Sequence, residues 1–435
     1  MSKFDDFIKL SPDPEIAALR ISELLQNKKL NRSLGNLDDD QLTVFFHLIS
    51  ISNFLYNFIF RHPESLEELT KPSDSADSEL DKIGNLDTLR QLKYKRLLTI
   101  AWQDIAGTVP YEHILSSLSV LADVVINKAL FLLYSENSSD KDLQKIFPLC
   151  IFAMGKLGAY ELNFSSDIDL IFVCADEDEI ECDYDNYHSF ITGLIRRFNR
   201  SLTEITENGF LYRVDLNIRP LGRSGPLVLS ISDTENYYAA SIEAWERFAW
   251  LRARIVAGTQ KIGKELLNNL HPFIYMRTLS SDDLDRFVKI KNDMAKLRYK
   301  SDSWNVKLGE GGIRDIEFFI QILQIANASQ HDELQTTNTL AVLNGLVRNE
   351  LLTMDNGNKI RESYLFLRQL ENRLQMIDEQ QTHEVPNEKD KHLRIARSFG
   401  YTESDDKVNL EKFDQELDRH KMIARQCFEQ ILPGH

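Results

Sequence analysis

Apolar spacing along this chain changes twice, and that change limits the fold more than any composition does. From Pro14 to Leu133, segments such as IAALRISELL, LTVFFHLISISNFLYNFIF and VLADVVINKALFLLYS carry apolar residues at three- and four-residue steps, the pattern of helices that bury one face. From Phe147 the period shortens. FPLCIFAM and DIDLIFVCA are apolar runs of strand length, and FLYRVDLNIRP alternates, with Tyr212, Val214, Leu216 and Ile218 on one side and Arg213, Asp215, Asn217 and Arg219 on the other. A helical face from Tyr187 to Ile205 separates the second run from the third, and GRSGPLVLS reads as a turn and a fourth strand. SDTENYYAASIEAWERFAWLRARIVAG then reads as one long helix, and from Ser280 to His435 helical spacing returns, as in Ile316, Phe319, Ile320 and Leu323. The expectation is an α+β chain: a helical lead-in over 1–140, a core with a small mixed sheet over 141–275, and a C-terminal helical bundle over 276–435. KPSDSADSELD, at 71–81, reads as an exposed loop.

Charge and cysteine usage narrow the functional classes. A formal net charge of −16 argues against a general nucleic-acid or membrane-surface binder, both of which need a basic face. Cys150, Cys174, Cys182 and Cys427 show no CxxC spacing, which fits a reducing cytoplasm. No stretch was expected to approach the roughly 20 apolar residues of a membrane span, and the histidines show no zinc-ligand spacing.

Chemistry concentrates in ELNFSSDIDLIF. Residues two apart on a strand share a face, so Asp167 and Asp169 project together at the mouth of a buried strand, and Asp215 lies on the polar side of the next. Carboxylates so placed repel unless a proton or cation sits between them, and Mg²⁺ satisfies such an oxygen-rich arrangement. Three carboxylates on adjacent strands suit metal-assisted phosphoryl or nucleotidyl transfer. Upstream, Gly155 and Gly158 permit close backbone approach to a phosphate, Ser165 and Ser166 offer hydroxyls, and Lys156 adds charge. Arg213, Arg219 and Arg223 are further phosphate-binding candidates, with Arg252 and Arg254 behind them. Neither a GxxxxGK[ST] nor a GxGxxG motif is present, so this is no ordinary mononucleotide or dinucleotide cradle.

GKLGAYELNFSSDIDLIF, FLYRVDLNIRPLGRSGPLVLS, AWERFAWLRARIVAG and GEGGIRDIEFFIQ, in this order, resemble the bifunctional glutamine synthetase adenylyltransferase/adenylyl-removing family. The resemblance covers nearly the whole chain and implies a polymerase-β-like nucleotidyltransferase core with Asp167, Asp169 and Asp215 as metal-binding catalytic carboxylates. Members of that family usually carry two such modules, whereas this chain has one. NFSSDIDLIF resembles the N-terminal module, which implies removal of AMP from a tyrosine of glutamine synthetase by orthophosphate, with release of ADP. The resemblance also implies PII, in its uridylylated form, as a partner. It places GEGGIRDIEFFIQ behind the active site, with Arg314 either contacting the nucleotide module or forming a salt bridge. Two other readings stand beside this one: an adenylyltransferase that consumes ATP, and a catalytically silent module that binds PII.

Overall fold

The computed structural model describes residues 3–69, 82–137, 148–180, 184–240, 244–277 and 303–430, together with Leu80 and Lys289. The loop expected at 71–81 lies outside these residues apart from Leu80, as do Cys182 and the middle of the acidic stretch at 176–185.

Helices fill the N-terminal part, and local chemistry sets where they start and stop. Asp38 and Gln41 form a reciprocal capping box that opens Asp39–Ile51. The apolar run that follows is not one helix: Ser52 accepts the Leu55 amide and caps Asn53–Arg61, bending the chain by 114°. The Leu86–Ala106 helix ends at Gly107 in the left-handed region, and Tyr111–Asn137 packs back against it. Over Tyr111–Glu136 this last helix is long and apolar enough to cross a membrane by length and composition, with a mean hydropathy of 1.7, which corrects the expectation that no stretch would be. In the fold 56% of that window is buried, with Ile114, Leu118, Ala122, Val125 and Ile126 in the core and Asn127 donating to the Val256 carbonyl.

The sheet has five strands: β1 (Leu149–Met154), β2 (Ile168–Cys174), β3 (Val214–Asp215), β4 (Val228–Ser230) and β5 (Arg254–Gly258). β1 lies antiparallel to both β2 and β5, while β3 and β4 pair in succession along the other edge of β2, both parallel to it. Strict alternation is absent from β1 and β2 because both faces are covered. Leu149, Ile151, Ala153, Leu170 and Phe172 join the core of the N-terminal helices and the Tyr184–Thr203 helix; Cys150, Phe152, Met154, Ile171 and Val173 join a second core with Tyr238, Trp250 and Leu266.

Two sequence expectations are corrected here. The alternating segment from Phe210 forms only the two-residue β3, because Arg219 turns back to bond the carbonyls of its own loop. The long helix expected from Ser232 is instead Ile231–Ala240, Ala244–Trp250 and β5: the chain turns tightly at Leu251–Ala253, and Arg254–Gly258 completes the sheet.

The C-terminal helices, chiefly Ile313–Asn327, Thr339–Arg348, Met354–Met376 and Asp406–Glu429, enclose a third core around Ile316, Leu343, Tyr364, Leu367 and Phe413. Between β1 and the rest of the molecule the backbone passes very close: a Cβ on Gly158 would stand 1.7 Å from the Arg252 carbonyl oxygen. Gly158→Ala is therefore expected to destabilise by about 2–3 kcal/mol. Gly193→Ala, inside the Tyr184–Thr203 helix with open space around it, should stabilise by about 0.5–1 kcal/mol. Denaturant unfolding of both variants checks the pair.

Candidate active site

Parallel pairing of β2 with β3 builds the site. Asp169 sits directly opposite Asp215, so the two carboxylates face the same side, and Asp167, two residues before Asp169, joins them. Asp167 Oδ1 accepts from Arg213 Nε at 2.7 Å and Asp215 Oδ1 from the Asn217 amide at 2.7 Å; the second oxygen of each has no partner among the described residues, nor has either oxygen of Asp169. Burial pushes the Asp169 carboxyl up to about 6; Lys307 and Arg314 oppose that rise, and Asp215 and Asp167 add to it. Gly155, at φ +56°, leaves this carboxylate open, since a Cβ there would stand 2.7 Å from Asp169 Oδ2.

The donor set suits Mg²⁺: hard oxygens with lone pairs to spare, crowded enough that one resists ionising. Among the described residues no group of three or more His, Cys, Asp or Glu stands close enough to hold a metal ion.

The phosphate candidates separate into those at the mouth and those committed elsewhere. Arg213 stays at the mouth, donating from Nη2 to the Ser165 carbonyl at 2.7 Å and to Ser165 Oγ at 3.0 Å as well as binding Asp167. Ser165 is buried and Ser166 half-buried, and the Ser166 hydroxyl has no partner among the described residues. Arg223 is exposed and donates to Asn217 Oδ1 at 2.8 Å, which links it through Asn217 to Asp215. Arg219 is a loop staple: it donates to the carbonyls of Leu216, Arg223, Gly225 and Pro226, so the sequence expectation of a phosphate ligand gives way to a structural one. Lys156 is likewise redirected. It is buried, and its ammonium donates to both oxygens of Glu371, at 2.6 and 2.7 Å. Arg252 pairs with Glu317 at 3.0 Å, Arg254 with Asp123 at 2.7 Å, and Arg314 with Glu317 at 3.0 Å, the salt bridge the sequence allowed.

Sequence reasoning missed what these cations are bonded to. Glu371, Arg368, Asn372 and Gln375 lie along one face of Met354–Met376, all buried. Asn372 Oδ1 and Gln375 Oε1 accept the amides of Phe164 and Ser165, holding the loop that carries the carboxylates. Arg368 bonds Asn163 Oδ1, the Glu161 carbonyl and the Tyr364 hydroxyl, while Glu161 accepts from the Thr339 amide and hydroxyl. Burial opposes ionisation of Glu371, but Lys156, His383 and Arg368 outweigh it and hold its carboxylate well below the usual range. The one sequence signal is the spacing Arg368, Glu371/Asn372, Gln375, which reads equally as a solvated helix face.

Comparison with known proteins identifies the arrangement. Residues 42–269 match the sequence profile of the family described as glutamate-ammonia ligase adenylyltransferase. The chain belongs to that family. Residues 286–432 match a second profile, GlnD PII-uridylyltransferase. Among curated relatives, the protein of Methylococcus capsulatus named bifunctional glutamine synthetase adenylyltransferase/adenylyl-removing enzyme is 36% identical over 81% of this chain. Proteins of the same name from Thioalkalivibrio sulfidiphilus and Nitrosococcus oceani are each 35% identical, over 85% and 83% of it. The chain spans only 37 to 38% of the length of these relatives.

The buried Lys156–Glu371 pair joins the glycine turn after β1 to the C-terminal helices. Glu371→Gln strips Lys156 of its counter-charge in a buried place, and an unfolding free energy lower by about 3–5 kcal/mol is expected. Adding Lys156→Met should restore part of that loss in the same denaturation measurement.

Proposed function

We propose that this chain removes AMP from adenylylated glutamine synthetase by phosphorolysis: orthophosphate attacks the phosphorus of adenylyl-tyrosine, the bond to the tyrosine oxygen breaks, and ADP and tyrosine are released. The observation that carries the proposal is the face shared by Asp167, Asp169 and Asp215 at the open end of β2. The direction is supported by the match to roughly the N-terminal 38% of relatives whose name carries both activities, together with the likeness of NFSSDIDLIF to the adenylyl-removing module.

Asp167, Asp169 and Asp215 would hold Mg²⁺, which when bound supplies Lewis-acid stabilisation of charge on the phosphoryl oxygens and the departing phenolate. Tyrosine has an ordinary pKa of about 10, so its phenolate leaves without a strong general acid once that charge is met. Arg213 keeps Asp167 and the Ser165 carbonyl in fixed relation, so the loop does not need to reorganise as charge develops. Ser166 offers a free hydroxyl to a phosphate oxygen, and Arg223, exposed beside Asn217, can reach the AMP phosphate or the surface of the protein substrate. The likeness of residues 286–432 to PII-uridylyltransferase supports uridylylated PII as the regulatory partner of the C-terminal helices.

The test is mass spectrometry of adenylylated glutamine synthetase incubated with this chain, Mg²⁺ and orthophosphate, with ADP followed in parallel. Loss of the AMP adduct with matching ADP is expected. Incorporation of AMP from ATP into unmodified synthetase would instead assign the opposite direction. Asp169→Asn is expected to lower ADP release by at least about a hundredfold. Mg²⁺ should raise the melting temperature of the unaltered chain and leave that of the variant unmoved.

A further inference from the structure

One cation beside the carboxylates, Lys307, forms no ion pair among the described residues. Lys307 lies in the turn Asn305–Gly312 that leads into the Ile313–Asn327 helix, and the backbone there is closely determined. Asn305 Oδ1 accepts the Lys307 and Leu308 amides at 3.1 and 2.8 Å, the Lys307 carbonyl accepts the Arg314 amide at 3.0 Å, and the Val306 amide bonds the His383 carbonyl at 2.8 Å. A Cβ on Gly312 would stand 3.2 Å from the Lys307 carbonyl carbon and 2.7 Å from the Val306 oxygen, so the turn closes this tightly only with glycine. Lys307 is half-buried, and its ammonium makes no hydrogen bond or ion pair with any described residue.

The glutamates around it are already engaged, while Asp169, which also acts on it, has no hydrogen-bond partner among the described residues. Glu371 takes both contacts from Lys156, and Glu317 is shared by Arg252 and Arg314. Glu161 is satisfied by Thr339 and Tyr364. In this cluster Lys156, Arg252, Lys307, Arg314 and Arg368 supply five positive charges against the four carboxylates of Glu161, Glu317, Glu371 and Asp169. The surplus borders the catalytic carboxylates: Lys307 and Arg314 both act on Asp169 across the boundary between β2 and the C-terminal helices. The amides of Ile313 and Arg314, at the start of Ile313–Asn327, are bonded to the Val306 and Lys307 carbonyls and are not free donors. An unpaired ammonium removed from water favours an anion that arrives with the substrate.

We propose that Lys307 binds the attacking orthophosphate, the C-terminal helical part thereby supplying a co-substrate contact beside the nucleotidyltransferase core. The inference rests on the phosphorolysis reading. The ammonium holds hydrogen phosphate by its non-attacking oxygens; the remaining oxygen forms the new bond to the AMP phosphorus as the bond to tyrosine breaks, and the proton of hydrogen phosphate ends on the tyrosine oxygen. Atoms and charge balance in ADP and an unmodified tyrosine. The nearby Arg314 guanidinium, tied to Glu317, adds charge without being free to move.

The experiment uses the full chain, adenylylated glutamine synthetase, Mg²⁺ and inorganic phosphate, with Lys307→Met and Lys307→Arg. Lys307→Met should raise the KM for orthophosphate by about tenfold to a hundredfold, leave the KM for the adenylylated protein within about twofold, and abolish the rise in melting temperature that phosphate gives the unaltered chain. Lys307→Arg should recover most of the phosphate affinity. Because Lys307→Met removes an unpaired charge, its melting temperature without phosphate should be equal to or above that of the unaltered chain. A lower one shows a structural partner for the ammonium and overturns the proposal, as does an unchanged phosphate KM. If the unaltered chain itself neither releases ADP in a phosphate-dependent way nor is stabilised by phosphate, the phosphorolysis reading fails, and this inference with it.

Discussion

The buried contact between Lys156 and Glu371 is the interaction on which the rest of the site depends. Lys156 follows the glycine that ends β1, and Glu371 sits in the middle of the Met354–Met376 helix, 215 residues further along the chain. Two charges taken from water at such a place are stable only when each fully satisfies the other. The same helix then uses Asn372 and Gln375 to hold the Phe164 and Ser165 amides, so the turn after β1 and the loop before β2 are fixed from outside the sheet. Sheet hydrogen bonds set the register of Asp169 against Asp215, and the helix sets where the loop carrying Asp167 enters it.

A sheet covered on both faces leaves only its ends for charge. β1 and β2 are buried throughout except at Asp169, which is half-exposed where the strand begins. Burial raises the Asp169 carboxyl there, and the charges of Asp215 and Asp167 add to the rise. Two non-glycine residues next to the site also hold left-handed backbone: Tyr160, at φ 58°, whose ring lies 3.8 Å from the Arg254 guanidinium, and Leu221, at φ 61° and 61% exposed in the loop after β3. Each such conformation costs on the order of 1–3 kcal/mol and persists only where the surroundings impose it. Arg219 imposes it at Leu221, by bonding four carbonyls of the same loop. Arg219, expected from sequence as a phosphate ligand, is bonded here to the carbonyls of the loop after the two-residue strand.

The legible part of this fold is the part written in local pattern. Helical spacing before Leu133, the two doubly buried strands and the pair of aspartates at the start of β2 follow from sequence periods of 3.6 and 2, and the place of Asp215 follows from the alternation around it. Alternation misled beyond Asp215, because polar residues that alternate along a strand cannot be told from polar residues that staple a loop. β5 was hidden because no glycine or proline separates Trp250 from Arg254, and the apolar residues of RIVAG continue the helical spacing by chance. Lys156 was misread for a different reason. A lysine after a glycine turn has the same sequence whether it faces phosphate or a buried glutamate, and that glutamate lies on a helix whose polar face looks solvated.

The same non-local partners explain why core and C-terminal helices form one thermodynamic unit. Lys156, Glu161, Asn163 and Arg252 belong to the nucleotidyltransferase core, and every one is buried against Glu317, Thr339, Arg368 or Glu371 from the C-terminal helices. Separating the two parts would expose or orphan these groups together, at a cost far above that of any one contact. The C-terminal helices therefore help set the geometry of the carboxylate face, through the loop that carries Asp167. A shift of the Met354–Met376 helix would be passed through Gln375 and Asn372 to the loop that leads into the Asp167, Asp169 and Asp215 face.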